Sequence, residues 1–133
     1  MQRRANAAKK NESTASGEHL GRVRRICLSM PGATEKLSHG EPTFFVKNGV
    51  FAVFDNNHHK QGHIAVWIPA APGLQAALIK MAPKTYFRPP YVGVAGWIGI
   101  ELEEISDHEL AEHVFEAWQL IEFKKKKSRA RRA

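Results

Sequence analysis

The sequence predicts an α+β domain in which an antiparallel sheet carries helices packed on one face, and three observations predict it. In "TFFVKNGVFAVF", Asn48-Gly49 stands between two apolar runs, the strongest short-range signal for a tight hairpin. "HIAVWI" and "WIGIEL" alternate apolar and other residues with the period of half-buried strands. The flanking segments, from Glu18 to Met30 and from Ile105 to Phe123, repeat apolar residues at helical spacing instead. An order of helix, strands, helix, strand, helix buries one sheet face under helices.

Each element has its own signal. Leu20, Val23, Ile26, Cys27 and Met30 form the apolar stripe of the first helix, with Arg22, Arg24 and Arg25 on the remaining surface, and Pro31-Gly32 stops it. A type I′ turn at Asn48-Gly49 would pair Lys47 with Val50, Val46 with Phe51, Phe45 with Ala52 and Phe44 with Val53. Phe44, Val46, Phe51 and Val53 would then share the core face, leaving Phe45 and Phe54 on the other. The next strand sets Ile64, Val66 and Ile68 against His63, Ala65 and Trp67. Pro72 at a first helical position opens "PGLQAALIKM", which ends before Pro83. In the last strand Ile98, Ile100 and Leu102 oppose Trp97, Gly99 and Glu101. The closing helix starts with a capping box, Ser106 as N-cap and Glu109 three residues on, with Ile105 and Leu110 placed as a hydrophobic staple. Its acids fall outside the stripe of Leu110, Val114, Ala117, Trp118 and Ile121.

At 133 residues and 43% hydrophobic composition, the chain suits one domain with one core. No apolar run approaches the ~18 residues of a membrane span, and "MQRRANAAKKNESTASG" lacks the apolar middle of a secretory signal, so a cytoplasmic location without membrane contact is expected. Cys27 is the single cysteine, which excludes an internal disulfide and a cysteine-rich zinc site. On an apolar helix face it reads as a buried structural thiol.

Net charge is +7, but it is unevenly spread. Residues 1–16 hold four basic and one acidic residue, and residues 124–133 hold seven basic residues and no acid. Both segments read as disordered basic tails flanking a domain over 17–123, where nine Lys and Arg face twelve Asp and Glu for a net −3. Within that domain, residues 95–123 carry eight acids and no Lys or Arg. Such a dipolar domain offers a polyanion only one side.

Few residues point to chemistry. His58, His59 and His63 lie close together, but adjacent histidines point apart in an extended chain and nothing beyond Asp55 completes a local ligand set, so no metal and no cofactor is expected. On the closing helix, His108 with Glu112 and Glu109 with His113 read as surface pairs. "SHGEP" (Ser38–Pro42) joins a hydroxyl, an imidazole and a carboxylate, yet catalytic triads are assembled from distant residues; loop-fixing hydrogen bonds are the simpler role. The stretch "FRPPYVGVAGWIGIEL" is a shaped loop entering a strand. There Arg88 could hold a carboxylate or phosphate, with Tyr91 and Trp97 supplying rings to stack on; the alternative is that both aromatics close one end of the core.

"CLSMPGATEKLSHGEPTFFVKNGVFAVF", "PPYVGVAGWIGIEL" and "LAEHVFEAW" together resemble the MmcQ/YjbR-like proteins over about Glu18 to Phe123. The resemblance implies a compact α+β domain similar to CyaY/frataxin and to secretion chaperones, likened also to a double-wing DNA-binding domain. It implies fold-defining roles for Ser38, His39, Gly40, Glu41, Pro42, Gly96 and Trp97, and no catalytic residues.

The reading that follows is a non-enzymatic binding module. In one form it binds DNA weakly, Lys47 at the hairpin tip, Lys60, Lys80, Lys84 and Arg88 touching phosphates while the tails add sequence-independent affinity. In the alternative it binds a small anionic ligand or a protein partner through the Arg88–Trp97 loop and the aromatic sheet face, with Arg88, Tyr91, Trp97 and His39 as ligand-binding residues.

Overall fold

The structure, a computed structural model, describes residues 16–56 and 62–124. Helix α1 (16–28) is followed by β1 (Thr34–Ser38), β2 (Glu41–Val46), β3 (Gly49–Asn56) and β4 (Ile64–Ile68). Helix α2 (Leu74–Met81), β5 (Tyr86–Phe87), β6 (Ile98–Glu101) and α3 (Asp107–Glu122) complete the order, with single 3-10 turns at Val92–Ala95 and Leu102–Glu104. The six strands form one antiparallel sheet ordered β1-β2-β3-β4-β6-β5. The chain thus runs as a meander through β4, crosses by α2, and returns with β6 beside β4.

The predicted α+β class stands. One core joins α1 (Val23, Ile26, Cys27), α2 (Leu78) and α3 (Leu110, Val114, Ala117, Trp118) to the sheet. Parity holds on two strands: Val66 and Ile68 of β4, and Ile98 and Ile100 of β6, belong to this core. Burial pushes the Cys27 thiol up, as expected of a structural cysteine. The α3 cap is also as read, Ser106 Oγ accepting from the Glu109 amide at 3.2 Å.

Four readings need correction. The β2–β3 turn consists of Lys47 and Asn48, because Val46 pairs with Gly49. Asn48 keeps a negative φ, excluding type I′, and its amide Nδ2 donates to the Glu122 carbonyl at 3.0 Å, satisfying one open acceptor at the end of α3. Register then shifts: Phe45 pairs with Val50 but Phe44 with Ala52, so Phe51 is an extra residue in β3. Beyond this bulge the parity is inverted. Val53 therefore lies on the face opposite Phe44, paired with Thr43, while Phe54 joins the core at 2% exposure. Third, α2 starts at Leu74 with Gly73 as N-cap at φ 85°, so Pro72 belongs to the preceding turn rather than the first helical position. Fourth, His113 is more than a surface partner of Glu109: its Nε2 lies 2.8 Å from the Tyr86 hydroxyl, and burial lowers its pKa from the ordinary histidine value against the opposing fields of Glu116, Glu109 and Glu112.

Two strands have no apolar signature. β1, at a sheet edge, has the sequence TEKLS with Leu37 exposed, and β5 is two residues long. His39 and Gly40 connect β1 to β2 as a two-residue hairpin loop, with both residues at positive φ (54° and 80°) as a type I′ turn requires. Arg22, read as surface, is an internal clamp: its guanidinium donates to the Leu102 and Ile105 carbonyls at 2.6 and 2.7 Å and to Asp107 at 2.6 Å. It thereby ties α1 to the chain entering α3. Arg24 makes a bidentate pair with Glu35 of β1.

Candidate functional site

The sheet face away from the helices is concave and lined. A hollow of about 730 Å³ has a floor made by Thr43, Val50, Val53, Asp55 and Trp67. The bulge at Phe51 places Val53 and Asp55 there. One cross-strand row, Thr43–Val53–Trp67–Gly99–Phe87, runs from β2 to β5 and orders this face. One wall is the β1–β2 turn with Ser38, His39 and Glu41, and the other is the loop before β6 with Tyr91, Val92 and Trp97.

Each wall is locally anchored. The Glu41 carboxylate accepts from the Asn56 amide at 3.2 Å, and the Thr43 hydroxyl donates to the Glu41 carbonyl at 2.9 Å, so this part of the His-Gly-Glu-Pro turn is fixed by hydrogen bonds. On the other wall, Pro89 is fully buried, and Gln75 of α2 donates from Nε2 to the carbonyls of Gly93 (2.9 Å) and Trp97 (2.5 Å). One side chain thus holds both ends of the turn that follows Tyr91.

Tyr91 itself is held in an unusual conformation. Its φ of 64° and ψ of −71°, with the Val92 amide donating to the Pro90 carbonyl at 2.7 Å, make it the centre of a left-handed γ-turn, which is rare and strained for a bulky residue. The residue is 79% exposed. His39 and Tyr91 are the non-glycine residues with positive φ among the described residues, and both line the hollow. Strain held at a lined hollow motivates a role in binding.

The predicted ligand residues divide. His39, Tyr91 and Trp97 line the same hollow. Arg88 does not: it is exposed, with its stem along Gly93, where an added Cβ would lie 2.6 Å from Arg88 Cγ. Of the predicted phosphate contacts, Lys47 stands exposed at the hairpin tip, and Lys80 is exposed on α2. Lys84 borders a depression it shares with Glu101, Glu103 and Glu104. Lys60, His58 and His59 lie outside the described residues. His63 is engaged by the Glu101 carboxylate and stacks on Phe87 with ring centroids 4.0 Å apart. Among the described residues no group of three or more His, Cys, Asp or Glu could hold a metal ion, and no helix is long and apolar enough to cross a membrane.

Sequence reasoning reached Trp67 as an outward-facing aromatic but missed Val53 and Asp55 as floor residues. Only the bulge brings Val53 and Asp55 to this face, and the regular alternation of the hairpin conceals it.

Comparison with known proteins agrees with this architecture. No curated protein matches the chain. Among solved structures, the chain is similar to the Deinococcus radiodurans protein DR2400, a DUF419-domain protein, with a TM-score of 0.66 at 17% identity over 82% of this chain and 83% of that one. That likeness concerns the fold. The YjbR family model matches residues 28–120, which include the Pro-Gly stop of α1, the His-Gly-Glu-Pro hairpin loop and the Gly-Trp entry to β6. By that match, the chain belongs to the YjbR family.

Proposed function

We propose that the chain is a non-catalytic binding module whose ligand seats in the hollow on the uncovered sheet face. The observation that carries this reading is the hollow itself: about 730 Å³, with the indoles of Trp67 and Trp97 and a few polar groups in its lining. That size and mixture are usual for small-molecule sites. The strained, outward Tyr91 at its rim supports the same reading.

The chain's three tryptophans allow a direct test. Trp67 and Trp97 line the hollow, whereas Trp118 sits in the helical layer with its Nε1 donating to the Pro31 carbonyl at 3.0 Å. In nitrogen-15 spectra of the full chain titrated with a mixture of aromatic fragments, the Trp67 and Trp97 indole signals should move and the Trp118 signal should not. Trp97→Ala should remove the Trp67 response. Shifts confined to residues outside the hollow would refute the reading.

A second reading, nucleic-acid association, is favoured by the charge distribution. Lys47 at the β2–β3 tip lies beside the end of α3, since Asn48 bonds the Glu122 carbonyl, and the basic segment 124–133 continues from that point. Contact would be driven by the tails, independent of sequence and screened by salt.

A further inference from the structure

Resting on the cavity reading above, we infer that the hollow is regulated from the far side of the sheet: protonation of His113 loosens the edge strand β5 and shifts the wall that carries Tyr91 and Trp97. β5 ends the sheet and pairs with β6, Tyr86 opposite Ile100 and Phe87 opposite Gly99. Its two side chains point to opposite faces. Phe87 lies in the row of the hollow face, stacked on His63, whereas Tyr86 is 5% exposed in the helix-side core with its hydroxyl 2.8 Å from His113 Nε2. That hydroxyl donates to Nε2 only while this nitrogen is unprotonated, so the bond tying β5 to α3 depends on a neutral ring. From Tyr86 the chain reaches Tyr91 in five residues, through buried Pro89 and the fixed φ of Pro90, which makes a stiff link to the wall. Gln75 keeps the loop on α2, so the wall shifts rather than detaches.

The protonated ring has a second place to lie. His113 lines an open groove of about 450 Å³ together with Glu116, where water and a carboxylate can solvate an imidazolium. β4, the turn before α2, α2 itself and β6 line that groove with Ile68, Pro69, Leu74 and Ile98, none of them titratable. From β5 the facing titratable group is Tyr86, and from α3 the fields of Glu116, Glu109 and Glu112 favour the charged ring. Burial outweighs those fields and lowers the His113 pKa, so the bond is intact above the ordinary histidine range and is lost as pH falls through the lowered value.

Titrating the ligand-free full chain from about pH 8 to about pH 5, with the Trp97 indole and the histidine rings followed by resonance, tests the coupling. The Trp97 signal should move with the midpoint of His113, below the ordinary histidine value. His113→Gln, which keeps a neutral acceptor for Tyr86, should hold Trp97 at its high-pH position throughout. Tyr86→Phe, which removes the bond, should hold it near its low-pH position instead. Affinity for the aromatic fragments should fall at least about fivefold over the same range in the parent chain, and by less in His113→Gln. A Trp97 signal that stays still in the parent chain overturns the inference, as does one that follows His39 in the hollow or His63 on Phe87. If the fragments bind equally across the range, the regulation falls while the cavity reading stands. If they never move the two indoles, the cavity reading falls, and the ligand-free titration alone decides whether His113 is coupled to the wall.

Discussion

Gly99→Ala is expected to lower the unfolding free energy by about 2 kcal/mol, although alanine is normally the mildest replacement for a strand glycine. Gly99 is fully enclosed in β6, between Trp67 of β4 and Phe87 of β5. A Cβ there would collide with the Phe87 ring, which lies directly on the glycine. The ring has little room to yield, because its far partner is the His63 imidazole, stacked parallel at 4.0 Å and engaged by Glu101. Backbone strain does not enter, since Gly99 has no positive φ. The cause is therefore separable by a double-mutant cycle. In a Phe87→Ala background the same Gly99→Ala change should cost less than about 0.5 kcal/mol, so the coupling should be about 1.5 kcal/mol. Equal penalties in both backgrounds would show that overpacking against Phe87 is not the reason glycine stands there.

Gly99 also illustrates which parts of this fold are legible in the sequence. Regular alternation revealed β4 and β6, and the Ser106 box revealed the start of α3, because each is fixed by neighbours in sequence. β1 was hidden because an edge strand with an exposed Leu37 carries no buried face to alternate. The His39-Gly40 loop held the missing signal, since a positive-φ pair between two extended segments predicts a hairpin, and histidine is tolerated there. The hairpin's true register depends on Asn48 docking against the distant end of α3 and on an extra residue at Phe51, and neither leaves a local mark. That one bulge decides the site. It moves Phe54 into the core and turns Val53 and Asp55 toward Trp67, converting an expected mixed surface into a lined hollow with an acidic floor.

Removing residues 1–16 and 124–133 is expected to reduce affinity for duplex DNA by at least about hundredfold at low salt, the largest functional effect foreseen for this chain. The two segments carry net charges of +3 and +7, against −3 for residues 17–123. Several of the domain's own cations are already committed: Arg22 and Arg25 to Asp107, Arg24 to Glu35, while Lys84 faces Glu101, Glu103 and Glu104 across a depression. The folded part therefore has fewer uncommitted basic groups than the eleven that the two segments supply. The intact chain should bind labelled duplexes of different sequence equally, with affinity falling steeply between two salt concentrations. Lys47, Lys60 and Arg88 changed together to alanine in the intact chain should weaken binding less than about tenfold, since three phosphate contacts contribute less than the ten net charges of the tails. Titration of the intact, tailless and triple-alanine proteins at both salts separates the accounts. If the tailless domain instead binds one sequence tightly, and the triple substitution abolishes that binding, the tail-driven account fails and hairpin wings are the nucleic-acid contact.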